Sequence, residues 1–177
     1  AGVTEAERYQ LSLHVTKDLG WAIAKSISSY QSWDMGPQTV DLDFTNSDPF
    51  PVFALASRID QRQTMRTKEF RLQSPDGAGP FAWRGGLFYM DKETEGETGR
   101  QFPVPFPGFG FVPFTERVNF NIKQESFAAY GKFNYELGNG IAVDAGGRVE
   151  LVEARLDRAK QQPPLRLREN RDELYFS

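Results

Sequence analysis

Ser126–Val152, SFAAYGKFNYELGNGIAVDAGGRVELV, is the stretch whose reading decides the fold. Phe127, Ala129, Gly131, Phe133, Tyr135 and Leu137 fall on one side of an extended chain. Ser126, Tyr130, Lys132, Asn134 and Glu136 fall on the other, with Ala128 among them. Successive side chains of a strand point to opposite faces, so this alternation predicts a strand. Gly138-Asn139-Gly140 follows, and Asn-Gly is the strongest short-range hairpin signal because both residues tolerate positive φ. Ile141, Val143, Ala145, Gly147, Val149 and Leu151 then share a face, against Ala142, Asp144, Gly146, Arg148 and Glu150. The result is a predicted hairpin with one apolar face and one face carrying Lys132, Asp144, Arg148 and Glu150. Its strands outrun the roughly five or six residues usual in soluble proteins. Two environments satisfy it: lipid on one side with a wet lumen on the other, or a half-buried hairpin in a soluble sandwich or barrel.

The rest of the chain repeats the pattern. Tyr9–Thr16 alternates, with Tyr9, Leu11, Leu13 and Val15 against Gln10, Ser12, His14 and Thr16. A short turn at Lys17–Gly20 leads to Trp21–Trp33, where Trp21, Ile23 and Ile27 are expected on the apolar side. Gln63–Ser74 sets Phe70 and Leu72 against Glu69, Arg71 and Gln73. Pro75–Pro80 is a turn by composition. Phe81–Lys92 places Trp83, Gly85, Leu87 and Tyr89 together. A fifth strand begins near Glu116 with Val118, Phe120 and Ile122 at even positions, whereas the apolar face is odd from Phe127 onward. That change of parity predicts a bulge, or the point at which the strand leaves a lipid band. Glu173–Phe176 could open a seventh strand.

Short turns alternate with long polar stretches near 34–62, 93–115 and 153–172, which are expected to be loops. Soluble meanders rarely sort their connections this way, whereas outer-membrane barrels pair short periplasmic turns with long extracellular loops. The fold class is therefore all-β, with antiparallel up-and-down transmembrane β-barrel strands, about six to seven in number and part of a larger barrel. No run approaches the ~18 apolar residues of a membrane-spanning helix. The net charge of −3 and the lack of a basic tract give a nucleic-acid partner little support, and none is expected. With no Cys, disulfides, thiolate metal sites and Cys nucleophiles are excluded.

Glu69–Glu93, EFRLQSPDGAGPFAWRGGLFYMDKE, resembles the paired-strand segment of TonB-dependent outer-membrane receptors. The hairpin from Ser126, with Ala145, Gly146, Gly147, Arg148 and Val149, resembles a later hairpin of that family. Ser26-Ile27-Ser28-Ser29-Tyr30 is similar to its Ser-Ile-x-x-Tyr strand. The resemblance implies one β-barrel segment over residues 1–177 of a receptor that imports a scarce nutrient across the outer membrane of a Gram-negative bacterium. Siderophore, cobalamin, glycan and aromatic compound all remain open as that small-molecule substrate. Its implied partners are outer-membrane lipid, the remaining barrel strands and plug of the same receptor, and indirectly the TonB system. Such receptors run to several hundred residues, with a plug inside a barrel of about 22 strands. No plug or energy-coupling box is found in this sequence, so it is expected to be a piece of a receptor, excised or proteolytic. The competing readings are a soluble β-barrel or sandwich binding an apolar ligand, and a complete small outer-membrane barrel.

Wall residues are assigned from the alternation. Glu69, Arg71, Lys132, Asp144, Arg148 and Glu150 are expected to face the lumen. Leu11, Leu13, Val15, Ile23, Ile27, Phe127, Phe133, Ile141, Val143 and Val149 are expected to face lipid. Gln101–Phe114, QFPVPFPGFGFVPF, is expected to be a loop because its Pro and Gly oppose a regular ladder. Its Phe102, Phe106, Phe109, Phe111 and Phe114 are candidates for ligand contact, or for a self-packed cluster. Asp41, Asp43, Asn46 and Asp48 carry oxygen ligands but lack the glycine and final glutamate of a Ca²⁺ loop. His14 is the only His and no nucleophile elbow accompanies it. No catalytic residue, metal site or cofactor is assigned, and the chain is not expected to be an enzyme.

Overall fold

The computed structural model describes residues 5–41, 56–77, 79–108, 110–161 and 164–176. They form one seven-stranded antiparallel sheet in sequence order, β1 to β7. The strands are β1 Ala6–Asp18, β2 Ile23–Asp41, β3 Ala56–Gln73, β4 Phe81–Phe106, β5 Gly110–Gly138, β6 Ile141–Gln161 and β7 Pro164–Phe176. Every strand pairs with its sequence neighbours, so the topology is up-and-down. The expected turns are in place. In the third, Gly138, Asn139 and Gly140 all take positive φ, at 85°, 54° and 78°.

The expected loops are largely strands. Residues 34–41 and 56–62 extend β2 and β3, with 42–55 outside the described residues. Residues 93–106 and 110–115 extend β4 and β5, and residues 153–161 and 164–172 belong to β6 and β7. Charge pairs cross between strands in these polar stretches and in the rows beside them. Asp34 lies directly opposite Arg62, Asp91 opposite Arg66, Glu93 opposite Lys123 and Asp157 opposite Arg168. Their closest N–O separations are 2.8, 3.8, 3.2 and 3.7 Å. Each such pair contributes about 0.2–1 kcal/mol, and the ladder's own hydrogen bonds add to it.

The proline-rich Gln101–Phe114 stretch is likewise a hairpin, from Phe106 opposite Gly110 down to Gln101 opposite Thr115. Register explains how the prolines are tolerated. The Glu136 N–H donates to the Pro80 carbonyl at 2.8 Å, so even positions of β4 exchange hydrogen bonds with β5 and odd positions do not. Pro103 and Pro105 are odd, and Pro103 opposes Pro113. Their nitrogens therefore point away from the partner strand. The β3 ladder ends at Gln101 and the β6 ladder begins at Val118, so no described strand asks for the missing donors. In β2, Pro37 sits where the register shifts between Met35 and Gln38.

The sheet has two unlike faces. One carries Leu11, Leu13, Val15, Phe70, Leu87, Phe127, Phe133, Ile141, Val143 and Val149, all strongly exposed. Leu13 is 64% exposed and Ile141 58%, values no soluble core shows. The other face holds the Glu69–Arg71 and Glu150–Arg148 pairs and most of the burial, with Ser126 at 2% and Ala128 at 0%. Ile23 and Ile27 correct the sequence reading. Ile27 lies opposite both His14 and Glu69, and Ile23 opposite Gln73, so both sit on the polar face. β2 has little apolar weight on either face, and the register is set by its stronger-patterned neighbours. Val118, Phe120 and Ile122 also lie on the polar face. The β4–β5 ladder has no register shift, so the parity change is not a bulge there.

Candidate functional site

The polar face is the candidate site, and two adjacent cross-strand rows make its centre. Glu69, Phe88, Ala128 and Glu150 are successive partners across β3 to β6. Arg71, Gly86, Tyr130 and Arg148 form the next row. Carboxylates thus occupy one row and guanidiniums the other, two residues along each strand.

Position 86 carries no side chain, and the Tyr130 ring lies across it. A Cβ there would come within 2.6 Å of the Tyr130 Oη and 2.8 Å of the Phe70 carbonyl oxygen. Across that gap the Tyr130 hydroxyl donates to the Glu69 carboxylate. Arg71 donates to the same oxygen at 2.7 and 3.1 Å, and to the Tyr130 Oη at 3.1 Å. The second cluster joins β5 and β6. Ser126 donates to one oxygen of Glu150, and Arg148 donates to the other at 3.1 and 3.2 Å. The Arg148 guanidinium also lies 5.5 Å from the Phe88 ring centre, within cation–π range. Lys132 and Asp144 pair diagonally at 3.3 Å nearer the turns. The six charged residues expected on one wall are therefore brought to one face. Tyr130, Ser126, Gly86 and Phe88 complete it. The alternation alone identifies their face but not their meeting, which depends on register.

On the apolar face, aromatic residues gather at the short-turn end. Trp21 and Trp83 stack with ring centres 6.4 Å apart, and Phe81 lies 6.2 Å from Phe133 and 6.4 Å from Tyr135. Toward the other end the face passes from Tyr89, Phe127, Leu151 and Leu174 directly to Asp91, Glu125, Glu153 and Asp172 in the next row. From Ile141 to Leu151 the apolar run is about 33 Å long at ~3.3 Å per residue, or about 25 Å high if tilted by about 40°.

Of the phenylalanine candidates, Phe102 and Phe114 are direct partners with ring centres 5.3 Å apart, on the polar face. Phe106 is 56% exposed on that face. Phe111 lies opposite Pro105 in the ladder, and Phe109 is outside the described residues. His14 shares a 2.7 Å hydrogen bond with Ser12 and meets no carboxylate among the described residues. Asp41 ends β2, while Asp43, Asn46 and Asp48 are outside the described residues. Among the described residues no group of three or more His, Asp or Glu is placed to hold a metal ion.

The up-and-down antiparallel sheet has the fold of part of a solved uptake receptor. It is similar to the ferric yersiniabactin uptake receptor FyuA from Yersinia pestis, with a TM-score of 0.79 at 14% identity. The match covers 99% of this chain and 25% of that one, so the chain spans about a quarter of the receptor's length. No protein-family model matches the sequence.

Proposed function

We infer that these seven strands are part of the wall of a larger outer-membrane barrel of the TonB-dependent receptor type, which imports a small nutrient molecule. The observation that carries this reading is the exposed apolar belt, edged by aromatic residues on one side and by a row of carboxylates on the other. Its estimated height matches the ~25 Å apolar band of such barrels. The polar face then lines the lumen, and its internally paired charges offer a hydrated surface to a plug. β1 and β7 are open edges, and unpaired backbone groups in lipid cost several kcal/mol each. Further strands on both sides remove that cost. In this arrangement Phe102, Phe106 and Phe114 stand on the lumen side of a hairpin that overhangs the mouth, where they can touch an incoming solute. The short turns face the periplasm.

The test is genetic and chemical. Cells carrying the protein should accumulate its solute only while the TonB system is energised, and the protein should fractionate with the outer membrane. A protein that stays monodisperse in water without detergent would overturn the reading.

A further inference from the structure

On the apolar face the belt ends in a groove. Its volume is about 390 Å³, with Phe127, Leu151 and Leu174 on its floor and Glu125, Glu153 and Asp172 along its rim. Tyr89 closes the β4 side. The floor residues are direct partners across β5 to β7, and so are the rim residues, two positions farther along each strand. Floor and rim are therefore about 7 Å apart at ~3.3 Å per residue. Asp91 lies opposite Glu125 and carries the rim onto β4, so four carboxylates stand side by side on adjacent strands. Like charges directly opposite one another repel.

The cations nearby do little to offset that repulsion. Arg66 is 3.8 Å from Asp91 and Arg155 is 4.0 Å from Glu153, while Lys123 is drawn to Glu93 at 3.2 Å. Among the described residues Glu125 and Asp172 make no ion pair or hydrogen bond. The carboxylates are strung out rather than gathered, and no three acidic side chains among the described residues are placed to hold one metal ion. A row of this kind suits an ammonium group, whose N–H donors can sit between neighbouring carboxylates. The floor calls for hydrocarbon, since Phe127, Leu151 and Leu174 are all strongly exposed. We propose that the groove seats a lipid with a primary-amine headgroup, its acyl chain on the floor and its ammonium on the Glu125–Glu153–Asp172 rim. The claim rests on the barrel reading above, which puts the floor in hydrocarbon and the rim at headgroup depth, in the leaflet toward the strand extensions. Any lipid covers the floor, so selectivity comes from the rim, where a dielectric below that of water strengthens the attraction. A strand added beside β7 would lie in the plane of the sheet and leave this face open.

The test is native mass spectrometry of the purified protein carrying these strands, in detergent, with three lipids of matched acyl chains: phosphatidylethanolamine, phosphatidylcholine and phosphatidylglycerol. The choline headgroup has no N–H to donate, and the glycerol lipid is a net anion. The ethanolamine lipid should be retained about fivefold over either. Glu125→Gln with Asp172→Asn should abolish that preference. The same loss of charge elsewhere on this face, Glu7→Gln with Glu95→Gln, should leave it unchanged. Glu125→Asp with Asp172→Glu keeps the charge and should keep the preference, which separates charge from misfolding. Equal retention of the three lipids, preference for the glycerol lipid once Mg²⁺ is added, a protein dimer in place of bound lipid, or equal losses from both neutralised variants would overturn the proposal. Fractionation reads the barrel separately: a protein that travels with the outer membrane yet holds the three lipids alike sinks the lipid site alone.

Discussion

Tyr130 reaches Glu69 only because residue 86 is a glycine. The Tyr130 hydroxyl could move from a new Cβ, but the Phe70 carbonyl is part of the β3 backbone and cannot. Gly86→Val should therefore destabilise the fold by about 1–3 kcal/mol through overpacking. Tyr130→Phe keeps the ring and removes both the donor to Glu69 and the acceptor for Arg71, so it should lose about 1–2 kcal/mol. Denaturant unfolding in detergent measures both. The two changes act on one contact, so the double variant should fall short of their sum. Equal stability of Gly86→Val and the parent would mean that the ring does not lie across position 86. The face of Tyr130 was legible from its even position between Ala128 and Lys132. Its partners were not, since Glu69 is sixty-one residues away and only register unites them.

At the scale of the strand, the sequence is plain where side chains differ sharply between faces and opaque where they do not. The Ile141–Leu151 alternation and the Gly-Asn-Gly turn specify their hairpin locally. In β2, Ile23 and Ile27 resemble an apolar stripe in sequence, whereas Ser29 on that face hydrogen-bonds Thr67 at 2.6 Å and Ile27 borders Glu69. The strand extensions read as loops in the sequence because charge, Pro and Gly are loop signals one residue at a time. Their partners lie on neighbouring strands, as Glu93 and Lys123 show. Asn121 donates to the Glu93 carboxylate at 2.8 Å and Lys123 lies 3.2 Å away, and together they hold its pKa below its ordinary value of 4.5. A depressed carboxyl pKa adds stability above the unfolded value, and that stability is lost as pH falls through the folded one. Backbone hydrogen exchange in the β4–β5 extension, corrected for its intrinsic pH dependence, should speed up as pH falls below about 4.5. Glu93→Gln should flatten that dependence. An unchanged acid response in the variant would assign the effect to other carboxylates.

For the molecule as a whole, the decisive question is which solvent each face meets, and with no cysteine among these 177 residues single cysteines can be placed on either face to measure it. Single cysteines at Pro107, in the β4–β5 turn, and at Asp76, in the β3–β4 turn, mark opposite ends of the sheet. On intact cells a membrane-impermeant maleimide should label Pro107→Cys, whereas Asp76→Cys should react only after the outer membrane is opened. The apolar face gives the stronger test. Val143 is 46% exposed and lies between Ile141 and Ala145 on β6, among residues with no charge on that side. Val143→Cys should react with a lipid-soluble maleimide and resist the impermeant one even in opened cells. Val143→Arg would place a guanidinium in hydrocarbon at a cost of about 2–4 kcal/mol near the midplane, less toward the interface. Assembly into the outer membrane should fall accordingly. Asp144→Arg is one residue away on the wet face, where it breaks a 3.3 Å pair with Lys132 but enters no lipid, so it should assemble close to normally. The contrast between neighbours isolates the facing from the general effect of adding a charge. If Val143→Arg assembles as well as Asp144→Arg, the apolar face meets water or protein, and a membrane wall is the wrong account of this sheet.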